Sequence, residues 1–171
     1  MTEIYLLTRI VHVVLGGFWM GAIAFVAFYL MPAVAEAGPD GAKVMAGLIR
    51  RKYLNVVPAI ALVNLLSGLW LYWRVTNGFD PALSGTRGAI AFGSGGVIAI
   101  IAFHIGVLGM RRNILKAGAI AARAGAMAES PERAALLAQA GALRARASFY
   151  APIVAVMLIL TMSLMAIGHY I

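Results

Sequence analysis

The sequence predicts an all-α integral membrane protein, a four-helix bundle with a cytoplasmic helical hairpin extending helices three and four. Three observations carry this. First, 63% of the residues are hydrophobic and 12% charged, and the mean hydropathy is +0.91. A soluble domain has about 45–50% apolar and about 25% charged residues. Second, four apolar segments, at about 5–32, 54–76, 88–110 and 149–170, can each cross a hydrocarbon core of ~30 Å at ~1.5 Å per residue. Third, the stretch at about 111–148 is dominated by Ala and Leu with interspersed Arg, which favours helix over loop. The 171 residues suit one domain, 1–171.

The first span holds the chain's most informative stretch, Ile10–Met31, in which His12 is the one side chain of a type that changes charge near neutral pH. It reads as a retained helix rather than a secretory signal, because it is too long and lacks both a basic start and a small-residue cleavage site. Pro32 and the Gly38-Pro39-Asp40-Gly41 cluster end it. Residues 42–52 read as a short helix lying at the interface. In the second span Asn64 and Ser67 share a face, and Asn64 is expected to hydrogen-bond across the bundle. Trp70, Tyr72 and Trp73 form an aromatic belt at its end. Asn77 to Gly85 is a loop rich in turn residues. Beyond Met110 the third helix continues to about Ala128. Ser130 then reads as an N-cap and Pro131 as the first helical position of the returning arm. Gly17 and Gly21 form a small-xxx-small pair, expected to let backbones approach closely, and Gly93, Gly95 and Gly96 thin the third span.

Charge sets the orientation. Eleven of the fourteen basic residues fall in the first loop (Lys43, Arg50, Arg51, Lys52) and in the hairpin (Arg111 to Arg146); Arg9, Arg74 and Arg87 lie on the other side. The positive-inside rule then places the hairpin in the cytoplasm and both termini outside, in a bacterial inner membrane. The net charge of +8 is thus explained by topology and lipid, not by nucleic acid. No cysteine is present, which excludes disulfides, thiolate metal sites and Fe–S clusters. Phosphate loops, dinucleotide fingerprints and HExxH are absent. So are intramembrane carboxylates, which weakens a proton-pump reading.

A histidine inside a span is a functional-site candidate by default, because a group that can charge is costly in hydrocarbon. His12, His104 and His169 are such groups. Imidazole suits iron, and a helical bundle can hold a porphyrin between facing helices. Haem b is therefore the first cofactor candidate, with one or two of His12, His104 and His169 as axial ligands. Arg9 and Arg111 would pair with propionates, and Trp19 would wall the pocket. His104 and Arg111, seven apart, are expected on one face. By depth His12 matches His169 better than His104. Met162, Met165 and His169, spaced three then four, also suit copper(I) as one face of the fourth helix. Helix–helix hydrogen bonding is the plain alternative for each histidine. The chain could then be a cofactor-free accessory subunit, a homo-oligomer or a docking partner within a membrane complex.

Several segments together, HVVLGGFWMG…MP, PAIALVNLLSGLWL, FHIGVLGMRRN and RASFYAP, resemble the HemJ-type protoporphyrinogen IX oxidases and the related copper-resistance D (CopD-like) membrane proteins. The resemblance implies a haem-b-binding four-helix protein with His12 as the essential ligand. It also implies a membrane oxidoreductase role, in porphyrinogen oxidation or in electron transfer with quinone. The HemJ-type His-x-Lys signature at the start of helix three is replaced here by Gly85-Thr86-Arg87-Gly88-Ala89. The resemblance therefore carries the fold and the His12 site further than it carries the oxidase activity.

Overall fold

A computed structural model describes residues 2–171, the side chain of Pro39 aside. Six helices follow one another: α1 (Thr2–Glu36), α2 (Pro39–Arg50), α3 (Tyr53–Val75), the single turn α4 (Pro81–Ser84), α5 (Arg87–Gly125) and α6 (Pro131–Ile167). No strand occurs among the described residues. α1, α3, α5 and α6 are long and apolar enough to span a membrane, and this is a multi-pass membrane protein. Their outward faces are apolar, with Leu7, Val14, Leu66 and Val156 among the exposed side chains.

The ends of the helices follow local chemistry. Ser130 caps α6 by accepting from the Arg133 N–H at 3.2 Å, with Pro131 in the first turn. Asp80 caps α4 and Thr86 caps α5 in the same way. Lys52 takes a left-handed conformation (φ 59°) and turns the chain from α2 into α3.

Side-chain contacts set an antiparallel register between neighbours around the ring. Tyr5 meets Trp70, and the Tyr53 hydroxyl donates to the Ala22 carbonyl, which aligns α1 with α3. Across α5 and α6, Thr161 donates to the Gly95 carbonyl at 3.3 Å, and the Tyr150 ring lies against Gly109. The same register puts Ala117 opposite Ala140, and both are fully buried in the hairpin. Small side chains at this seam let the two arms approach closely.

The buried positions are spaced as in a left-handed coil. On α6 they include Ala147, Ala151, Val154, Leu158 and Thr161, alternating four and three, with Ala140 seven before Ala147 and Ala155 beside Val154. On α5, Gly88, Gly95 and Ala102 are seven apart, and so are Met110, Ala117 and Ala124. Eight residues separate Ala102 from Met110. The additional residue is absorbed by a π-helical turn at Ile105–Arg111, so the seam continues in phase into the hairpin. α1 has a π turn of its own at Val26–Leu30.

Two packing expectations change. A Cβ on Gly17 or Gly21 would meet nothing within 4 Å, so this pair does not pack within the bundle. The close approaches use Gly16, Gly68, Gly95 and Gly168 instead, because these glycines, and not their neighbours, point at another helix. The short helix begins at Pro39 rather than 42 and packs back against the end of α1.

Candidate functional site

His12 is held between α1 and α3. Its Nδ1 lies 3.0 Å from the Asn64 carbonyl oxygen and 3.3 Å from Ser67 Oγ, which itself donates to that carbonyl at 2.9 Å. A carbonyl can only accept, so Nδ1 carries the proton and Nε2 the lone pair. The ring rests on Gly68, where a Cβ would stand 2.6 Å from its Cε1. The Asn64 backbone thus bonds across the bundle, as the sequence led one to expect, but its side chain does not. Asn64 is buried against Gly16, and its Oδ1 has no hydrogen-bond partner among the described residues.

The hydrogen bonds of His169 and of His12 go to different partners. α6 ends at Ile167, so His169 lies two residues beyond the helix that carries Met162 and Met165. Its Nε2 lies 3.1 Å from the Arg9 guanidinium, and its ring meets the edge of Phe92 at a centroid distance of 5.1 Å. Met165 packs over Gly95 on α5. Among the described residues no three His, Asp or Glu side chains are grouped as a metal site.

Arg9 and Arg111 occupy opposite ends of the bundle. Arg111 donates through Nε to the Leu54 carbonyl at 2.7 Å and through a terminal nitrogen to Asn55 Oδ1 at 2.8 Å. Asn55 is nine residues from Asn64 on α3, about 14 Å along the axis. One porphyrin at His12 could therefore not use both arginines. Nor do His104 and Arg111 share a face. The π turn between them adds a residue, so Arg111 turns inward while His104 stays exposed.

Two hollows lie at the hairpin end. The inner one, about 70 Å³, is walled by Trp19, Ile23, Tyr53, Val57, Phe103 and Met110, with Arg111 as its one charged lining group. Trp19 thus walls a cavity, but one that does not include His12. At about 70 Å³ it is well below the ~300–1,000 Å³ of usual ligand pockets. The outer one is a cleft of about 380 Å³ between α5 and α6, lined by His104, Gly109, Asn113, Arg146 and Tyr150 among others. His104 Nδ1 lies 2.8 Å from the Ile100 carbonyl, so Nε2 again carries the lone pair. A lipid-exposed histidine is unusual within a span, where such groups turn to the interior or a wet cavity.

Sequence reasoning missed Arg146, Tyr150 and Asn113 as neighbours of His104. Arg146 counted only as a topology charge, and the pairing depends on the α5–α6 register, which the π turn sets. Against this geometry, no protein-family model, no curated protein and no solved structure matches the chain.

Proposed function

We propose that this chain binds haem or a related porphyrin in the membrane, and that His104 rather than His12 holds it. The observation that carries this reading is the His104 cleft. Its volume, about 380 Å³, falls within the ~300–1,000 Å³ of usual ligand pockets, and it opens outward, so a porphyrin would lie in it with one edge uncovered. Its imidazole is oriented by a backbone carbonyl with Nε2 unprotonated, the arrangement a metal-ligating histidine needs. Arg146 is positioned to pair with a propionate, and Tyr150 offers an aromatic wall. At His12 the ring is packed on Gly68 and borders neither hollow. The resemblance to HemJ-type and CopD-like proteins supports the cofactor class, and the open cleft beside His104 supports α5 over α1 as the ligand's helix.

Bound haem would supply one-electron chemistry, which suits a redox role with quinone or porphyrinogen as partner. The protein's part is to orient the ligand nitrogen, neutralise carboxylates and keep one side of the ring in an apolar setting. The charge distribution supports an inner-membrane orientation with both termini outside and the hairpin in the cytoplasm.

The absorption spectrum of protein purified after expression with ample haem tests this. We expect a Soret band that His104→Ala abolishes and His12→Ala retains. Loss of the band in His12→Ala alone would return the ligand to α1. Absence of any band in the parent would end the haem reading.

A further inference from the structure

The inner cavity has features that the His104 cleft does not explain. Every spanning helix is irregular near it. α1 and α5 have their π turns there, with Val26 and Met110 on the wall. α3 contributes Pro58 to the wall, and α6 has Pro152 between the lining residues Ala151 and Val154. Irregular backbone at membrane depth is tolerated where it lines a cavity or is buried in protein. α2 closes one side, with Met45, Leu48 and Ile49 on the wall.

Cations gather where α2 turns into α3. The guanidinium ends of Arg50 and Arg51 lie 3.9 and 3.5 Å from the point where a Cβ on Gly47 would stand. Two like charges thus converge on one spot. Lys52 follows directly, and Arg111 reaches the Leu54 carbonyl two residues further on. The ion pairs among the described residues are Lys43–Asp40, Arg123–Glu132 and Arg133–Glu129, and none involves this cluster. No acidic residue lines the cavity.

We infer that this corner is a binding site for one anionic phospholipid. Its phosphate head sits at the Arg50, Arg51 and Lys52 turn, and one acyl chain enters the partly open slot beside Trp19, which Arg111 also lines. The slot's free volume, about 70 Å³, is well below the ~300–1,000 Å³ of usual ligand pockets. That admits a thin flexible chain and refuses a flat macrocycle. The walls are apolar, so a hydrocarbon chain leaves no polar group unpaired. Basic pockets between spanning helices are suited to anionic head groups. This site is separate from the His104 cleft and does not depend on what binds there.

Trp19 allows a direct test, because the chain has three tryptophans and the other two, Trp70 and Trp73, lie at the opposite end of α3. In the full-length Trp70→Phe/Trp73→Phe variant, Trp19 fluorescence is titrated with phospholipids brominated on the acyl chains. Brominated phosphatidylglycerol should half-quench at a lower mole fraction than brominated phosphatidylcholine, by roughly fivefold for each cation engaged. Arg50→Gln/Arg51→Gln, two exposed positions that do not threaten the fold, should remove most of that preference. Inorganic phosphate alone should leave Trp19 emission unchanged. Equal quenching by the two lipids in the parent overturns the inference. So does a preference that survives the double substitution, or an emission change produced by phosphate without a chain.

Discussion

Arg111 donates its Nε hydrogen to the Leu54 carbonyl at 2.7 Å, and Leu54 is the residue whose carbonyl Pro58 deprives of a helical donor. Proline has no N–H to give to the residue four before it. In hydrocarbon an unpaired carbonyl is expensive, so the gap in α3 is closed from α5 by a charged side chain. Arg111→Gln should destabilise the bundle by roughly 1.5–3 kcal/mol, the range for a hydrogen bond to a charged group. Pro58→Ala restores the backbone donor, so in that background the same substitution should cost less. Unfolding in detergent of the four proteins of this cycle measures the coupling. Equal costs in both backgrounds would mean that Arg111 does not serve the Pro58 gap.

Gly68 and Gly17 give a sharp contrast on facing helices. A methyl on Gly68 would stand 2.6 Å from His12 Cε1, whereas one on Gly17 would meet nothing within 4 Å. Gly68→Ala should therefore cost about 1–3 kcal/mol through overpacking. Gly17→Ala should be neutral or stabilising, by about 0.4–1 kcal/mol, because alanine loses less backbone freedom in a helix. Thermal unfolding midpoints in one detergent decide between them.

Asn64 is 7% exposed and its Oδ1 has no donor among the described residues. Replacing such a group with an apolar side chain of similar size relieves a penalty of about 1–3 kcal/mol. Asn64→Leu should raise the unfolding midpoint while leaving the His12 contact, which uses the Asn64 backbone. A lower midpoint would show that the amide has a donor in the membrane-embedded protein.

The hairpin register can be read chemically, because the chain contains no cysteine. Ala117→Cys/Ala140→Cys should cross-link readily under mild oxidant. Ala117→Cys/Leu137→Cys should not, since Leu137 is 44% exposed and turned away from the seam. Electrophoresis under non-reducing conditions separates the linked and open forms. The reverse pattern would shift the register.

The four spans, the Ser130-Pro131 start of α6 and the helical hairpin were legible, because each rests on a local signal: an apolar run, a capping residue or a run of alanine. The site was legible only as a set of residue types. His12, His104 and His169 stand out in any reading of this chain, but their partners depend on rotation about each helix axis. The π turn in α5 sends Arg111 inward and leaves His104 outside, and no residue between Ile105 and Arg111 signals such a turn. Likewise Gly17 and Gly21 match a packing motif, yet Gly16, one residue away, is the glycine that meets Asn64. Spacing gives the period of a helix; it does not give the phase.

The surplus residue in the α5 π turn works as a dislocation in an otherwise regular screw. Deleting one residue there would rotate everything beyond it by about 100°, swinging Ala117 and Ala124 out of the groove on α6. The hairpin arm and the His104 cleft are thus cut on one thread. Their relative angle is fixed by a single inserted residue, and a movement of that insertion along the helix would turn one against the other without breaking the seam at either end.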